Sequence, residues 1–335
     1  MKETPVMIRN LATVCLALGL AACELPPVDS TQTGYRGTAM ARIDAPETQA
    51  KLAKENEVPE PVPGIPNVGV TAADSYQNVQ VLGHLDVAEF TQLMTAITQW
   101  VAPEQGCTYC HSDDGNLADD SKYTKVVSRR MMQMTYEING NWNQHVGETG
   151  VTCYTCHRGQ NVPSNIWFES PPPNSAANAG WRRGQNGGGN ASVAFASLPY
   201  DPFTEYFLND AEIRVAAANA LPMGEGATIH KTEKTYGLMM HMADSLGVNC
   251  TFCHNSRAFR NWEQSTPQRM TAWHGIRMVR SLNTEYLDPL QPVYPDKRLG
   301  SIGDAPKANC ATCHQGLNKP LGGVSMLADY PQLKK

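Results

Sequence analysis

The sequence predicts a mainly α-helical protein with much irregular backbone, built as two pseudo-symmetric halves. Three observations carry that prediction. The pentapeptide Cys-x-x-Cys-His occurs four times: Cys107-Thr-Tyr-Cys110-His111, Cys153-Tyr-Thr-Cys156-His157, Cys250-Thr-Phe-Cys253-His254 and Cys310-Ala-Thr-Cys313-His314. A stretch with helical apolar periodicity stands ahead of each copy. The first cysteines are separated by 46, 97 and 60 residues in turn, so the copies fall into two pairs across a long connection.

The pentapeptide is the attachment signature of c-type haem. Its two thiols add across the porphyrin vinyl groups, and the adjacent His is placed to become the proximal iron ligand. Zinc ribbons also use paired Cys-x-x-Cys, but they need no His directly after every pair. Thioredoxin-like sites use one such pair in an α/β context. Of the ten cysteines eight are taken by the motifs, leaving Cys15 and Cys23 near the N-terminus and no pair for a structural disulfide. The chain therefore reads as a multihaem c-type cytochrome with four covalent haem c groups, two in each half.

Residues 1–22 read as a lipoprotein signal peptide. Lys2 and Arg9 charge its start, and an apolar run follows over residues 11–22. That run is too short to span a bilayer, which takes about 20 apolar residues. It ends in Leu20-Ala21-Ala22-Cys23, which looks like a bacterial lipobox, with Cys23 as the lipid-attachment residue. Two or more acyl chains give lasting membrane attachment. Export fits the haems, because c-type haem is attached outside the cytoplasm. The formal net charge of −5 omits the haem propionates, so the assembled protein is more acidic still. That disfavours nucleic acid and favours a docking partner with a basic face.

Residues 23–80 form an extended N-terminal arm, rich in Pro, Ala and polar residues with little periodicity. The first dihaem half covers 81–169. Within it, residues 87–100 place apolar side chains at 87, 90, 93, 94 and 97, and 123–138 is a second amphipathic stretch. Residues 170–228 are the connecting segment, with Pro171-Pro172-Pro173 and Gly187-Gly188-Gly189. The second dihaem half, 229–323, has helical stretches at 235–246 and 267–282, the latter with Pro in its first turn. Residues 324–335 form a C-terminal tail. A weak internal repeat supports the halves. Leu93-Met94 resembles Leu238-Met239, and the Met134 to Asn139 stretch resembles Met278 to Asn283.

The sixth iron position remains to be filled at each haem. A thioether ligand raises the potential relative to a second imidazole. For any one of the fourteen Met, core filler is the default, and Met132, Met134, Met240, Met242, Met270 and Met278 fall there. Met94, Met131 and Met239 are better placed, the first and last at matching points of the repeat. Aligning Asn283 with Asn139 puts Gly275 where Met131 stands, so the fourth haem needs another ligand, naturally a His. Of nine His, His84, His145, His230, His241 and His274 are not proximal. On spacing alone His145 and His274 are equal candidates.

The signal, lipobox, four motifs, central connection and preceding Leu-Met helices together resemble the tetrahaem cytochrome subunit of purple bacterial photosynthetic reaction centres. The resemblance runs from Cys23 to about Gly323. It implies three His/Met haems and one His/His haem, the extra His lying eight residues before the second attachment Cys, as His145 stands to Cys153. The implied axial pairs are Met94/His111, Met131/His157, Met239/His254 and His145/His314.

The resemblance also implies an electron carrier without substrate chemistry of its own. It would sit on the periplasmic face of the inner, photosynthetic membrane, lipid-anchored through Cys23. A soluble c-type cytochrome or high-potential iron–sulfur protein would be the donor. Membrane subunits carrying the photo-oxidised bacteriochlorophyll pair would be the acceptor. Arg130, Arg269, Arg277 and Arg280 are candidates to raise haem potentials, with a solvated helix face as the default for each. The alternatives are a multihaem respiratory electron-transfer cytochrome and a periplasmic multihaem oxidoreductase. The first tends to carry a membrane helix and mostly His ligands. The second needs an open iron position.

Overall fold

A computed structural model describes residues 27–32, 40–169, 191–194, 198, 201–215 and 228–334. The signal segment, Cys23 and most of the connecting segment lie outside the described residues. The fold is mainly helical with much irregular backbone. Among the described residues, the only sheet is a two-stranded antiparallel hairpin of β1 (Asp29–Gln32) and β2 (Ala41–Asp44). Helix α1 (Pro46–Glu55) and the short α2 (Ala72–Ser75) follow.

The arm is thus more structured than its composition suggests, because its partners are distant in sequence. The backbone N–H of Ala41 in β2 donates to Thr251 Oγ1 inside the third motif at 3.1 Å. Leu52 of α1 covers Gly316 just after the fourth motif, where a Cβ would lie 2.8 Å from the Leu52 methyl. Asn56 accepts from Arg158 at 2.8 Å, and Glu57 O accepts from Tyr154 OH at 3.1 Å, both at the second motif. Val62 N–H donates to Tyr330 OH at 2.8 Å, and Gly69 N–H to Asp86 at 2.7 Å. The arm therefore straps the third, fourth and second motifs and ends at the helix ahead of the first.

That helix is α3 (Val87–Val101), opened by a capping box between Asp86 and Glu89. Its apolar stripe buries Leu93, Ala96 and Trp100. Helix α4 (Tyr123–Asn141) matches the second predicted stretch, and the one-turn α5 (Asn143–Val146) carries His145. The second motif is itself a short helix, α6 (Cys153–His157). Helix α7 (Ile229–Leu246), closed by Gly247 at φ 61°, starts before the predicted 235 because Thr228 caps it through Lys231 N–H. Helix α8 (Pro267–Ser281) runs into a π-helical turn, Leu282–Leu287. The fourth motif is helix α9 (Cys310–His314).

Side chains pack in three separate clusters. The first joins Leu93 and Trp100 of α3 to Leu327, Tyr330 and Leu333, so the segment read as a tail fills the core under the first motif pair. The second gathers Trp167, Phe203, Phe207, Leu238, Ile276 and Val279. The third joins Ile138 of α4 to Met278 and Leu282. Between them lies a largely apolar cavity of about 1010 Å³. A chain of this size ordinarily closes one contiguous core; here the clusters stay apart around that space.

Matched backbone anchors recur. Asn139 pairs with both backbone groups of Val151, accepting at 2.8 Å and donating at 2.9 Å. Asn283 does the same with Ala308, at 2.8 and 3.0 Å. Gly159 N–H donates to Trp100 O of α3, and Gly316 N–H to Ser245 O of α7, at 2.9 and 2.8 Å. Thr124 Oγ1 donates to Tyr109 O as Thr266 Oγ1 does to Phe252 O.

Candidate haem-binding site

The four motifs take two local forms. The first and third are 3₁₀ turns, Gly106–Tyr109 and Cys250–Phe252, that swing the His around by a bond from its N–H to the first Cys carbonyl, 2.9 Å for His111 and 3.0 Å for His254. The second and fourth are the helices α6 and α9, each opened by a capping box, Thr152 with Thr155 and Asn309 with Thr312. Both end on left-handed residues, Arg158 at φ 50° and Gln315 at φ 47°, each followed by a left-handed Gly. In the first, second and fourth motifs both thiols and the imidazole line one cavity, which attachment and ligation require together.

All four motif histidines share one hydrogen-bond pattern. Nδ1 of His111 meets Leu117 O at 3.1 Å, and Nδ1 of His157, His254 and His314 meets Gln160 O, Phe259 O and Leu317 O, each at 2.9 Å. A carbonyl only accepts, so Nδ1 carries the proton and Nε2 keeps its lone pair. That is how a protein orients a metal-binding imidazole and raises its basicity. Burial also disfavours the charged form at three of these rings. It lowers the pKa of His157 and His254, and burial beside His145 takes His314 to about 4. Burial raises the thiols, Cys153 and Cys310 to about 12 and Cys253 to about 11. They are held as neutral thiols, the form that adds across a vinyl group with its proton.

The cavity brings much of the predicted site together. The cysteines and histidines of the first, second and fourth motifs line it, with Met94, Met131, His145 and Cys253. Met94 comes from α3 and Met131 from α4. Met239 of α7 packs instead at the edge of the Trp167–Phe203 cluster, and Met242, read as filler, lines the cavity.

His145, one of the candidate distal ligands, stands against a motif histidine. Its ring faces that of His314, centroids 6.0 Å apart and planes at 70°. Two metal–nitrogen bonds of about 2 Å, plus the half-widths of two imidazoles, give a centroid separation of about 6 Å. Nδ1 of His145 donates to Thr271 O at 2.9 Å, leaving Nε2 free as in the proximal rings. The ring occupies the space above Gly275, where a Cβ would lie 2.5 Å from Cε1. The missing side chain at 275 is what admits His145. His274 does not line the cavity, and its ring stands edge-on to that of the exposed Trp273, centroids 4.9 Å apart. His241 is buried between Phe203 and Phe207, and His230 sits beside Glu233.

Of the four arginines proposed from sequence, Arg269 bears on a motif. It lies over Trp262 at 4.1 Å and lowers the pKa of Cys253 electrostatically. Arg130 lies over Tyr286, Arg277 over Trp273, and Arg280 pairs with Asp210. Sequence reasoning missed Arg158 and Gln315, which bond across the second and fourth motifs. The signal was present: these two motifs alone continue as His-x-Gly.

Paired thiols beside Nδ1-anchored imidazoles around an apolar cavity fit covalent haem and define a c-type cytochrome. The family model for the photosynthetic reaction centre cytochrome c subunit matches residues 24–334. The chain is 53% identical over 327 residues to the photosynthetic reaction center cytochrome c subunit of Rubrivivax gelatinosus, covering 97% of this chain and 88% of that one. It is 48% identical to the proteins of the same name from Thermochromatium tepidum, over 96% of this chain and 79% of the relative, and from Roseobacter denitrificans, over 91% and 85%. The chain belongs to the photosynthetic reaction centre cytochrome c subunit family, and it serves electron transfer in that complex. Among the described residues, no helix is long and apolar enough to cross a membrane.

Proposed function

We propose that the chain holds four haem c groups in two dihaem halves and relays electrons from a soluble periplasmic donor to the photo-oxidised bacteriochlorophyll pair. The observation that carries this reading is the facing pair His145 and His314 beside a cavity shared by three motifs. Each bound haem supplies an iron that cycles between ferric and ferrous by one electron. The protein supplies ligands, spacing and a dry, low-dielectric surround. The axial pairs are Met94/His111, Met131/His157, Met239/His254 and His145/His314. The matched anchors Asn139 and Asn283, and the paired bonds from Gly159 and Gly316, support the two halves.

The contacts also support a spatial order. Gly159, after the second motif, bonds to α3 of the first, and Gly316, after the fourth, bonds to α7 of the third. Cys156 meets Cys313 at 2.7 Å, joining the second motif to the fourth. The order is therefore first, second, fourth, third. The N-terminus orients it. Cys23 precedes β1 by six residues, at most about 20 Å of extended chain, and the β1–β2 hairpin bonds to Thr251 of the third motif. An acylated Cys23 puts the third motif toward the periplasmic face of the membrane and its bacteriochlorophyll-carrying subunits. The first motif then faces the donor, a soluble c-type cytochrome or high-potential iron–sulfur protein. Flash-induced absorbance of membranes containing the protein tests the relay. Haem oxidation following the flash is the expected result, and its absence defeats the proposal.

A further inference from the structure

The junction between the second and fourth motifs is built reciprocally. Cys156 Sγ and Cys313 Sγ lie 2.7 Å apart. Arg158, directly after His157, donates from Nη2 to Cys313 O at 3.2 Å. Gln315, directly after His314, donates from Nε2 to Cys156 O at 3.4 Å. Each motif thus grips the second cysteine of the other. Arg158 and Gln315 are the left-handed caps that close their short motif helices. Arg158 is further pinned by Thr155 O at 3.1 Å and by Asn56 Oδ1 of the arm at 2.8 Å.

We propose that this clasp is the electron bridge between the two halves. Cys156 and Cys313 supply neighbouring thioether sulfurs, and Arg158 and Gln315 are the positioning residues that hold them together. The inference rests on the four-haem relay proposed above. A thioether sulfur is bonded to the porphyrin periphery through one saturated carbon, so neighbouring attachment cysteines shorten the open gap an electron would have to cross. Electronic coupling falls steeply across open space, so small displacements at this junction change the rate. The step is balanced within the protein: one electron leaves a ferrous iron on one side and reduces a ferric iron on the other. No bond forms or breaks, and no proton moves. The clasp is chemically asymmetric, since Arg158 brings a charge and Gln315 does not.

The test uses the intact reaction-centre complex carrying Arg158→Ala with Gln315→Ala. Flash spectroscopy follows electron redistribution between the second and fourth haems, and a redox titration reports each midpoint. The rate across this junction is expected to fall several-fold at full haem content, with first-to-second transfer unchanged. Arg158→Gln supplies the donor that Gln315 already provides at the matching position. It should restore the rate at matched driving force while lowering the midpoints of the adjacent haems. An unchanged rate in the double variant overturns the proposal. If that variant fails to assemble, Gln315→Ala alone gives the same readout, and a normal rate there overturns it equally. A lack of haem oxidation in the unmodified complex would instead defeat the relay itself.

Discussion

Replacing Gly275 by Ala probes the fourth distal position with a single methyl group. The added Cβ would lie 2.5 Å from Cε1, 2.8 Å from Nδ1 and 3.2 Å from Nε2 of His145. Carbon atoms at rest are about 3.5–4.0 Å apart, so the ring has to retreat by about 1 Å. Metal–ligand distances hold to within about 0.2 Å. The ring is also tethered, because Nδ1 bonds to Thr271 O one turn earlier on α8. Helix propensity acts in the opposite direction: within a helix Ala is favoured over Gly by about 1 kcal/mol. A lost ligand therefore cannot be put down to a weakened α8. The purified variant should keep its covalent haem, lose the low-spin bis-imidazole signal in electron paramagnetic resonance, and show one shifted midpoint among four. An intact bis-imidazole signal would refute the assignment of His145, as would loss of that signal in His274→Ala.

Met131→His should lower one midpoint potential and leave the others nearly in place, read by redox titration, because a second imidazole favours ferric iron more than a thioether does. Asn283→Ala removes a fully buried side chain that serves the N–H and carbonyl of Ala308 and the carbonyl of Phe207. Thermal unfolding should show a loss of about 3 kcal/mol, the cost of leaving such groups unpaired. His241, buried against Phe203 and Phe207, has its pKa lowered from 6.5 to about 4 by burial. The unfolded chain then takes up that proton first, so the stability from this site is full above pH 6.5 and is lost as pH falls toward 4, by up to about 3 kcal/mol. In His241→Gln the fall in unfolding free energy over that range should be smaller by the same amount.

What the sequence showed was local. Four motifs, the helices before them and the Asn139/Asn283 alignment are patterns within a few turns of chain, and each has a counterpart in the structure. The placement of His145 against His314 was hidden, since it depends on a bond to Thr271 across 126 positions and on a gap at Gly275. The last residues were read as a tail because short 3₁₀ turns carry no amphipathic period, yet Tyr330 and Leu333 are fully buried. Arg158 and Gln315 look like ordinary surface residues until two distant motifs are set side by side.

The arm has a consequence for how the protein is made. Its bonds to Thr251 and Tyr330 join residues 210 and 268 positions apart. The N-terminus leaves the ribosome first, but Leu52 has no Gly316 to cover, and Asn56 no completed clasp to brace, until nearly the whole chain has followed. First out, the arm is last to dock. Such long-range closure is slow, so the arm is the part of the fold whose docking depends on the most chain being in place.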